Sequence, residues 1–357
     1  MESVTAPVAA ASRRSALFQV EDALQSSSVR LQAMAMARAH GLDTAAIDRV
    51  GTVVTEMAAN ITTHAGGGEI ILRPVGDVAT GCIEILALDR GPGIANMTRA
   101  MRDDGLPTVD MRRDGGFAGI RRLADLFDIY SQPGRGTAVV AHVGTPAGPE
   151  STCPCSGSVL HAAIGVVCLP ARGEVECGDD WAVDVAPGRL SALLVDGLGH
   201  GPGAAIAALA AITAFGPVAA ASPESVLGTM DAALHNTRGA ALSVAVIDQA
   251  RQTARFCGVG NVDGRIVSVD SNRHLVPQNG IVGHTMPRAQ AVDVPWPDAG
   301  RLVMHSDGIS SRWRIANYPG LLARHPALLA GVLFRDCARA RDDVTVLVLS
   351  NLPASVA

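Results

Sequence analysis

The chain of 357 residues contains no lysine, so all 29 positions counted as Lys or Arg are arginines. This absence excludes two large classes of phosphate-transferring enzyme. A Walker P-loop needs a lysine on the β/γ-phosphates, and a eukaryotic-type protein kinase needs a strand lysine on the α/β-phosphates. Any nucleotide site in this chain must therefore hold phosphate groups without lysine.

The sequence also lacks a long apolar run and an excess of basic charge. No run reaches the roughly 18 apolar residues that span a bilayer, and residues 1–18 lack a cationic start followed by an apolar stretch. We therefore expect a cytoplasmic protein with no membrane partner. The formal net charge of −5 offers no basic face to phosphate backbones, so no nucleic-acid partner is expected.

The seven cysteines predict neither disulfides nor a zinc site. Cys82, Cys168 and Cys257 lie in apolar strand-like runs, where a buried free thiol is the usual explanation. Cys153 and Cys155 have the spacing of half a metal site. No second Cys or His pair follows at the spacing that zinc requires.

Length and composition predict two domains. A chain of this length with 48% apolar residues can bury two cores. Residues 144–158 are rich in Pro, Gly and Ser and lack apolar periodicity, which is typical of a linker. We therefore expect a flexible N-terminus over 1–14, a first domain over 15–143 and a second domain over 159–351.

A helix is predicted to begin after an N-cap at Asp43, because apolar residues recur at helical spacing beyond it. These residues are Ile47, Val50, Val54, Met57 and Ile61. Glu56 and Asn60 lie one turn apart and roughly opposite this apolar stripe. A solvated helix face is the ordinary interpretation of such a pair, but the motifs that follow favour a functional one.

Two glycine-containing turns follow this helix. The strand-like run CIEILALD ends at Asp89, and Gly91 and Gly93 then allow the backbone to approach a ligand closely. Alone, such a turn is more often only a turn. Downstream, GGFAG leads into a predicted helix, IRRLADLF, whose first backbone N–H groups can bind phosphate without a lysine.

These three motifs, in this order, resemble the N, G1 and G2 boxes of the GHKL ATPase superfamily, and most closely the small bacterial serine kinases of stress-response partner switching. The resemblance covers residues 15–143 and implies a GHKL (Bergerat) α/β sandwich that binds ATP with Mg²⁺. It implies that Glu56 polarises the acceptor or water, that Asn60 holds Mg²⁺ and that Asp89 reads the adenine amino group. The other residues assigned to nucleotide binding are Gly91, Gly93, Gly116, Gly119 and Thr137.

Acidic residues recur at strand ends and glycine turns across the second half. They are Asp179 or Asp180, Asp196, Asp307, and Asp342 or Asp343. One Asp-Gly pair is weak evidence because both residues are common in turns, but four sites in apolar strand contexts predict convergence at one sheet edge. Clustered carboxylates repel unless cations neutralise them, and hard oxygen ligands select Mg²⁺ or Mn²⁺. Two such ions acidify a bridging water and clamp a phosphoryl group.

The acids, together with GVGNV and NGIVG, resemble the SpoIIE and stress-response branch of the metal-dependent type 2C protein phosphatases, over residues 159–351. The resemblance implies an αββα sandwich, so the whole chain is expected to have an α+β fold. It favours Asp179 over Asp180 and Asp342 over Asp343, and makes Asp196 the catalytic bridging ligand. The implied metal ligands of this domain are Asp179, Asp196, the Gly197 carbonyl, Asp307 and Asp342. His200 is open between contacting a phosphate and merely forming a turn, and no arginine matches the phosphate clamp of the family.

The combined pattern predicts a bifunctional bacterial regulator. An ATP-dependent serine/threonine kinase domain would be fused to a Mg²⁺- or Mn²⁺-dependent protein phosphatase domain. The resemblance implies that both act on one STAS-domain anti-sigma antagonist or scaffold protein, with separable and opposed activities. The alternative is that the first domain is a nucleotide-dependent binding module that transfers no phosphoryl group.

Overall fold

The computed structural model describes residues 14–76, 81–101, 116–145, 163–339 and 341–351. Most of the predicted N-terminal tail, residues 102–115 before Gly116, most of the linker, and Cys153 and Cys155 lie outside these residues. Cys82, Cys168 and Cys257 are buried free thiols, as predicted. None of the described helices is both long and apolar enough to cross a membrane.

The first domain is a five-stranded antiparallel sheet, here called the first sheet, with helices on one face. Its helices are α1 (Ala23–Ala39), α2 (Thr44–His64), α3 (Met97–Ala100) and α4 (Phe117–Leu123). Its strands are β1 (Ala16–Val20), β2 (Gly68–Val75), β3 (Cys82–Asp89), β4 (Leu126–Gln132) and β5 (Gly136–Gly144). Their spatial order is β1-β2-β3-β5-β4.

The helix prediction for α2 is confirmed, and that for α4 is displaced. The Asp43 carboxylate accepts a hydrogen bond from Ala46 N at 2.7 Å, and the apolar stripe of α2 is buried against the first sheet. Helix α4 begins at Phe117, three residues before the predicted start. It ends at Leu123 because Leu126 and the residues after it pair with β5 as a strand.

The second domain stacks two five-stranded antiparallel sheets. Its helices are α5 (Pro202–Phe215), α6 (Pro223–Leu234) and α7 (Pro326–Cys337). Its strands are β6 (Ile164–Leu169), β7 (Asp179–Ala186), β8 (Arg189–Gly197), β9 (Ala240–Asp248), β10 (Thr253–Val259), β11 (Asp263–Val267), β12 (Asn272–Leu275), β13 (Val292–Pro295), β14 (Arg301–His305) and β15 (Val344–Ser350). The outer sheet has the order β13-β10-β9-β8-β7, and the middle sheet has the order β12-β11-β14-β15-β6.

Alternation of side chains along the strands explains why this domain is layered. In β8, Leu190, Ala192 and Leu194 face the middle sheet. The intervening Leu193 and Val195 face α5 and α6. Because both faces of each sheet are buried, the strands read as nearly continuous apolar runs rather than alternating ones. The predicted αββα sandwich is confirmed, with α7 as its last layer.

Helix α7 also covers the free face of the first sheet. One hydrophobic cluster contains residues of the first sheet, of α7 and of the middle sheet, including Leu86, Leu333 and Val346. A Cβ atom added at Gly331 in α7 would lie 2.7 Å from Leu86 Cδ2 and 3.1 Å from Leu88 Cδ2. The two domains therefore share a core through one helix, which the sequence did not predict.

A buried polar network supplements this shared core. Arg73 Nη2 donates to Glu84 Oε1 at 2.9 Å, and His142 Nε2 lies 2.9 Å from Glu84 Oε2. Burial by itself raises the pKa of Glu84, but Arg73 and then His142 outweigh it and lower the pKa to about 2. The second domain contributes the His325 ring, 5.3 Å from the His142 ring, and the Trp181 ring, 5.7 Å from the Arg73 guanidinium. The buried Arg73 and Glu84 side chains at the interface are therefore paired with each other and are not left as isolated buried charges.

We predict that Gly331→Leu separates α7 from the first sheet. The added side chain has no room against Leu86 and Leu88, so the free energy of unfolding should fall by about 1–3 kcal/mol through overpacking. Gly228→Leu, at an exposed site in α6 with no atom within 4 Å of its Cβ position, is the matched control. It should leave stability unchanged or raise it by up to about 1 kcal/mol, because leucine favours helix over glycine. Urea denaturation of both variants measures the difference, and equal stabilities would contradict the shared core.

Candidate active sites

A cavity of about 420 Å³ opens between α2 and the first sheet. Its walls are mainly apolar and include Met57, Ile61 and Val139, while Asn60, His64, Asp89 and Thr137 supply polar groups. Binding pockets for small molecules typically have roughly this size and this mixture of a largely apolar wall with a few polar groups. The cavity therefore brings together four of the residues assigned to nucleotide binding, namely Asn60, Asp89, Gly93 and Thr137.

Asp89 is held in place by backbone hydrogen bonds. Its Oδ1 atom accepts from Gly91 N at 2.8 Å and from Thr137 N at 3.1 Å. Burial raises the pKa of Asp89, and these two hydrogen bonds oppose that shift. The fixed carboxylate can accept a further hydrogen bond from an amino group in the cavity, which is the role predicted for it.

Two glycines of the G1 motif are required by the local geometry. A Cβ atom at Gly91 would lie 2.7 Å from the Ala65 Cβ, so α2 approaches this turn too closely for any side chain. Gly93 has a φ of +68°, and its Cβ would lie 2.3 Å from Gln132 O. These glycines therefore shape the rim of the cavity.

Glu56 and Asn60 open onto different spaces, although one helical turn separates them. Asn60 lines the nucleotide-sized cavity, and its Nδ2 atom is buried without a hydrogen-bond partner among the described residues. Glu56 instead lines a groove of about 520 Å³ between α1 and α2, together with Ser27, Arg30 and Thr55. Burial raises the pKa of Glu56. The sequence predicted that Glu56 and Asn60 form one polar patch on α2, but the two side chains line different cavities.

The glycines before α4 occupy the start of that helix. Gly116 is the N-cap of α4, and since glycine has no side chain it does not cap the first N–H groups of the helix. The buried Gly119 lies in the first turn. Phe117, the first residue of α4, contacts the nucleotide-sized cavity. Phosphate binding by these N–H groups remains a prediction.

The acids of the second domain meet at one end of the stacked sheets. Asp179 at the start of β7 is the direct cross-strand partner of Asp196 near the end of β8. Burial and then the neighbouring Asp307 and Asp342 carboxylates raise the pKa of Asp196 to about 8. Burial and then Asp342 also raise the pKa of Asp307. The predicted convergence of Asp179, Asp196, Asp307 and Asp342 is therefore present in the structure.

The structure separates the two acids that follow Arg341. Both carboxylate oxygens of Asp343 accept backbone hydrogen bonds, from Ala171 N at 2.7 Å and from Gly178 N at 2.9 Å. Asp342 is less buried and accepts from the adjacent Asp343 N at 3.0 Å. Asp343 thus ties two loops together, and Asp342 has more freedom to take a ligand.

The donor set fits a hard divalent cation. Asp179 Oδ2 is buried with no hydrogen-bond partner among the described residues, and burial followed by repulsion from Asp196 holds the pKa of Asp179 well above its usual value. A bound cation would give Asp179 Oδ2 a partner and would offset the repulsion between the Asp179 and Asp196 carboxylates. Carboxylate oxygens are the ligands that Mg²⁺ and Mn²⁺ prefer. Within the described ranges, no three His, Cys, Asp or Glu side chains are already gathered at metal-binding spacing. To hold a cation together, these side chains would have to turn towards one another.

Several residues around the acids had no predicted role. Asn261 Nδ2 donates to Asp307 Oδ2 at 2.6 Å, and the Ser306 hydroxyl hydrogen-bonds to Asp179. Asn261 lies in the GVGNV motif, so that motif held the signal. His200 Nδ1 is 2.9 Å from Glu174 Oε1, an exposed contact at the turn that follows Gly197.

The second domain also contacts the backbone at Asp89, whose side chain lines the nucleotide-sized cavity. Arg335 of α7 is 3% exposed, and its Nη1 atom donates to the Asp89 carbonyl at 2.9 Å. Arg90 in turn donates to the Arg335 carbonyl. Asp89, whose carboxylate lines the cavity, is therefore hydrogen-bonded directly to α7, the helix that packs against both domains.

Two family models match the chain, one in each domain. The histidine kinase-like ATPase domain matches residues 18–142, and stage II sporulation protein E (SpoIIE) matches residues 186–351. Serine/threonine-protein kinase RsbT of Bacillus subtilis (strain 168) is 35% identical over 106 residues, which are 30% of this chain and 78% of RsbT. The chain belongs to the histidine kinase-like ATPase family. Its second half matches the SpoIIE family model.

Parts of the chain are similar to further known proteins. Phosphoserine phosphatase RsbX of Bacillus subtilis (strain 168) is 24% identical over 151 residues, which are 42% of this chain and 76% of RsbX. A solved chain of a bacterial stressosome system is 27% identical with a TM-score of 0.49, and the match covers 52% of this chain and 97% of that one. The resemblance of each half to its predicted family is confirmed by the two family matches.

We predict that Asp89→Asn weakens ATP binding to the full chain. The change removes the charge that accepts the adenine amino proton, and a lost charge-assisted hydrogen bond costs about 1.5–3 kcal/mol, or roughly 10- to 150-fold in the dissociation constant. Asp48→Asn, on the exposed face of α2, makes the same chemical change away from the cavity. Calorimetric titration with ATP and Mg²⁺ measures both, and equal affinities for the wild type and Asp89→Asn would remove the assignment.

Proposed function

We propose that this protein phosphorylates and dephosphorylates serine or threonine on one STAS-domain regulator of a bacterial stress or sigma-factor pathway, in the cytoplasm. Residues 15–143 would carry the kinase and residues 159–351 the phosphatase. The observation that carries the proposal is the convergence of Asp179, Asp196, Asp307 and Asp342 at one end of the two sheets. The same chain also forms a separate nucleotide-sized cavity around Asp89.

The phosphatase proposal rests on the charge of the acid cluster. Asp179, Asp196, Asp307 and Asp342, with the Gly197 carbonyl, would hold two Mg²⁺ or Mn²⁺ ions. When bound, such ions activate a water molecule and stabilise charge on the phosphoryl group. Asp196 would bridge the ions because it lies between Asp179 across the strand pair and Asp307 beside it. Asn261 would position Asp307, and Ser306 would position Asp179.

The kinase proposal rests on Asp89, Asn60 and Glu56. Asp89 would bind the adenine, and Asn60 would hold Mg²⁺ next to the phosphates. Glu56 would accept the proton of the substrate hydroxyl from the side of the α1–α2 groove, since a raised pKa brings a carboxylate closer to the range that suits a general base. RsbT, to which this domain is 35% identical, is named a serine/threonine-protein kinase.

One observation favours a second candidate for the first domain. Glu56 lines the α1–α2 groove rather than the cavity that holds Asn60 and Asp89. A domain that binds a partner only when nucleotide is present would need the cavity and a docking groove, but no proton acceptor beside the γ-phosphate. Phosphoryl transfer to the partner separates the two candidates.

We predict that single substitutions separate the two activities on one STAS-domain protein. With γ-³²P-ATP, Mg²⁺ and Mn²⁺, Asp196→Asn should accumulate label on the partner, because it loses a ligand shared by both ions and so cannot remove the phosphate. Glu56→Ala should leave the partner unlabelled yet still strip a pre-phosphorylated partner. The exposed Asp293→Asn, in the same domain as Asp196, is the control and should behave as the wild type.

The outcomes discriminate between the candidates. Label that never appears on the partner in Asp196→Asn, while the partner still binds in the presence of ATP, would favour the binding module. Full stripping activity in Asp196→Asn, or stripping that continues in excess EDTA, would remove the two-metal phosphatase. Wild-type labelling by Glu56→Ala would show that another group accepts the substrate proton.

A further inference from the structure

Arg238 lies at the end of the outer sheet where the acid cluster is found. It comes between α6 and β9, and its neighbour Gly239 accepts a hydrogen bond from Leu198 N at 3.1 Å through its carbonyl. Asp196 and Gly197 pair with Ala241 and Ala240 at the start of β9. Arg238 therefore lies three positions before Ala241, the cross-strand partner of Asp196.

The Arg238 guanidinium rests on the glycine-rich turn that leaves the acid cluster. A Cβ atom at Gly203 would lie 2.5 Å from Arg238 Cζ, and one at Gly199 would lie 3.3 Å from Arg238 Nη1. Larger residues at Gly203 would displace the guanidinium. The turn from Leu198 to Gly203 is thus shaped to accept an arginine above it.

No described residue satisfies this guanidinium. Across the described ranges, Arg238 makes no hydrogen bond or ion pair, and it is exposed. In the same domain, Arg189, Arg255, Arg265 and Arg335 each donate to a carbonyl or carboxylate. His200, the other cationic candidate on this turn, is already engaged by Glu174 at 2.9 Å. Arg238 is therefore an arginine near the acids whose guanidinium donors remain available among the described residues; Arg339, whose charge acts on Asp307, approaches the acids from the end of α7.

We propose that Arg238 binds the phosphate group of the phosphoprotein substrate, an inference that rests on the proposed phosphatase function. A cluster of carboxylates repels a phosphate dianion, so cations beside the cluster are needed to hold it. Arginine presents a planar fork of N–H donors that matches two phosphate oxygens, which a lysine cannot do. Arg238 would thereby supply the phosphate clamp for which the sequence offered no family match.

The test compares Arg238→Ala and Arg238→Lys with the exposed control Arg251→Ala, all in the full chain with Mn²⁺. Calorimetry with inorganic phosphate should show about 10- to 100-fold weaker binding for Arg238→Ala, the loss expected for a charged hydrogen bond. Arg238→Lys should bind phosphate with an affinity between those of Arg238→Ala and the wild type, and Arg251→Ala should bind it as the wild type does. With p-nitrophenyl phosphate, KM should rise and phosphate inhibition should weaken by similar factors, while the Mn²⁺ concentration for half-activation stays unchanged.

Wild-type phosphate affinity and KM in both Arg238 variants would overturn the inference while leaving the phosphatase proposal intact. Absence of metal-dependent hydrolysis in the wild type would instead overturn the proposed function, and the calorimetry would still decide the role of Arg238. If Arg238→Ala unfolds, as judged by its thermal melt, Arg238→Lys alone gives the answer. A drop in Mn²⁺ affinity in step with the drop in phosphate affinity would mean that Arg238 supports the acids and does not bind phosphate.

A second, independent observation concerns α7. At Arg335 this helix is bonded to the Asp89 carbonyl, and the carboxylate of Asp89 contacts the nucleotide-sized cavity. Just beyond its last turn, Arg339 N donates to the Gly308 carbonyl at 2.7 Å, and Ser310 N donates to the Cys337 carbonyl at 2.9 Å. Gly308 follows the acid Asp307. Residues 335–339, at the end of α7 and just beyond it, therefore contact the backbone beside both sites.

We infer that nucleotide binding at Asp89 changes dephosphorylation through this end of α7. A ligand that shifts the Asp89 turn would shift Arg335 and, with it, the backbone beside Asp307. Typical coupling free energies between sites correspond to changes of about 5- to 150-fold in affinity. Because coupling is reciprocal, Mn²⁺ with phosphate should change the affinity for nucleotide by the same factor.

The test uses p-nitrophenyl phosphate, which bypasses the kinase, with and without a non-hydrolysable ATP analogue. We expect the analogue to change KM or phosphate inhibition at least about 5-fold in the wild type. The effect should vanish in Asp89→Asn at analogue concentrations that do not saturate that variant, and it should shrink in Arg335→Gln and Arg90→Ala. No effect in the wild type, together with nucleotide affinity that is independent of Mn²⁺ and phosphate, would overturn the coupling. An effect that persists unchanged in both arginine variants would remove α7 as its route.

Discussion

The packing of α7 between the first sheet and the middle sheet is the interaction on which the arrangement of both sites depends. This helix closes the αββα sandwich of the second domain, and its residues also cover the free face of the first sheet. Without the helix, Leu86, Leu88 and their neighbours would be exposed to water, which costs roughly 25 cal/mol of free energy for each Å² of apolar surface. The two domains are therefore fixed to each other by burial and not only by the chain between them.

Electrostatics imposes the second constraint. Burial, and after it the neighbouring carboxylates, raise the pKa values of Asp179, Asp196 and Asp307, so the protein on its own holds unfavourable charge at this place. Such stored repulsion is typical of sites whose charge is completed by a ligand. The buried Glu84 avoids such repulsion, because it is paired with Arg73 and His142. The contrast between the two clusters supports a binding role for the first and a structural role for the second.

Local patterns in the sequence were sufficient for much of the fold and for the composition of each site. Helical spacing identified α2 with its cap at Asp43, and apolar runs beside acids identified several strands of the second domain, among them β8 and β14. What could not be predicted depends on long-range packing. The groove that contains Glu56 exists only because α1 lies beside α2, and the choice between Asp342 and Asp343 depends on two distant backbone N–H groups. The shared core of α7 and the position of Arg238 likewise arise from contacts that no local pattern encodes.

The central claim is that one phosphoryl group passes from ATP to a partner and then to water at two sites of one chain. The most direct measurement follows γ-³²P through a single reaction of the wild-type protein with limiting ATP, a STAS-domain protein and Mn²⁺. The account predicts that label appears first on the partner, then declines as ATP is consumed while labelled inorganic phosphate rises, and that EDTA added after labelling stops the decline. Label that passes directly from ATP to inorganic phosphate without appearing on the partner, or that stays on the partner after ATP is exhausted, would contradict it.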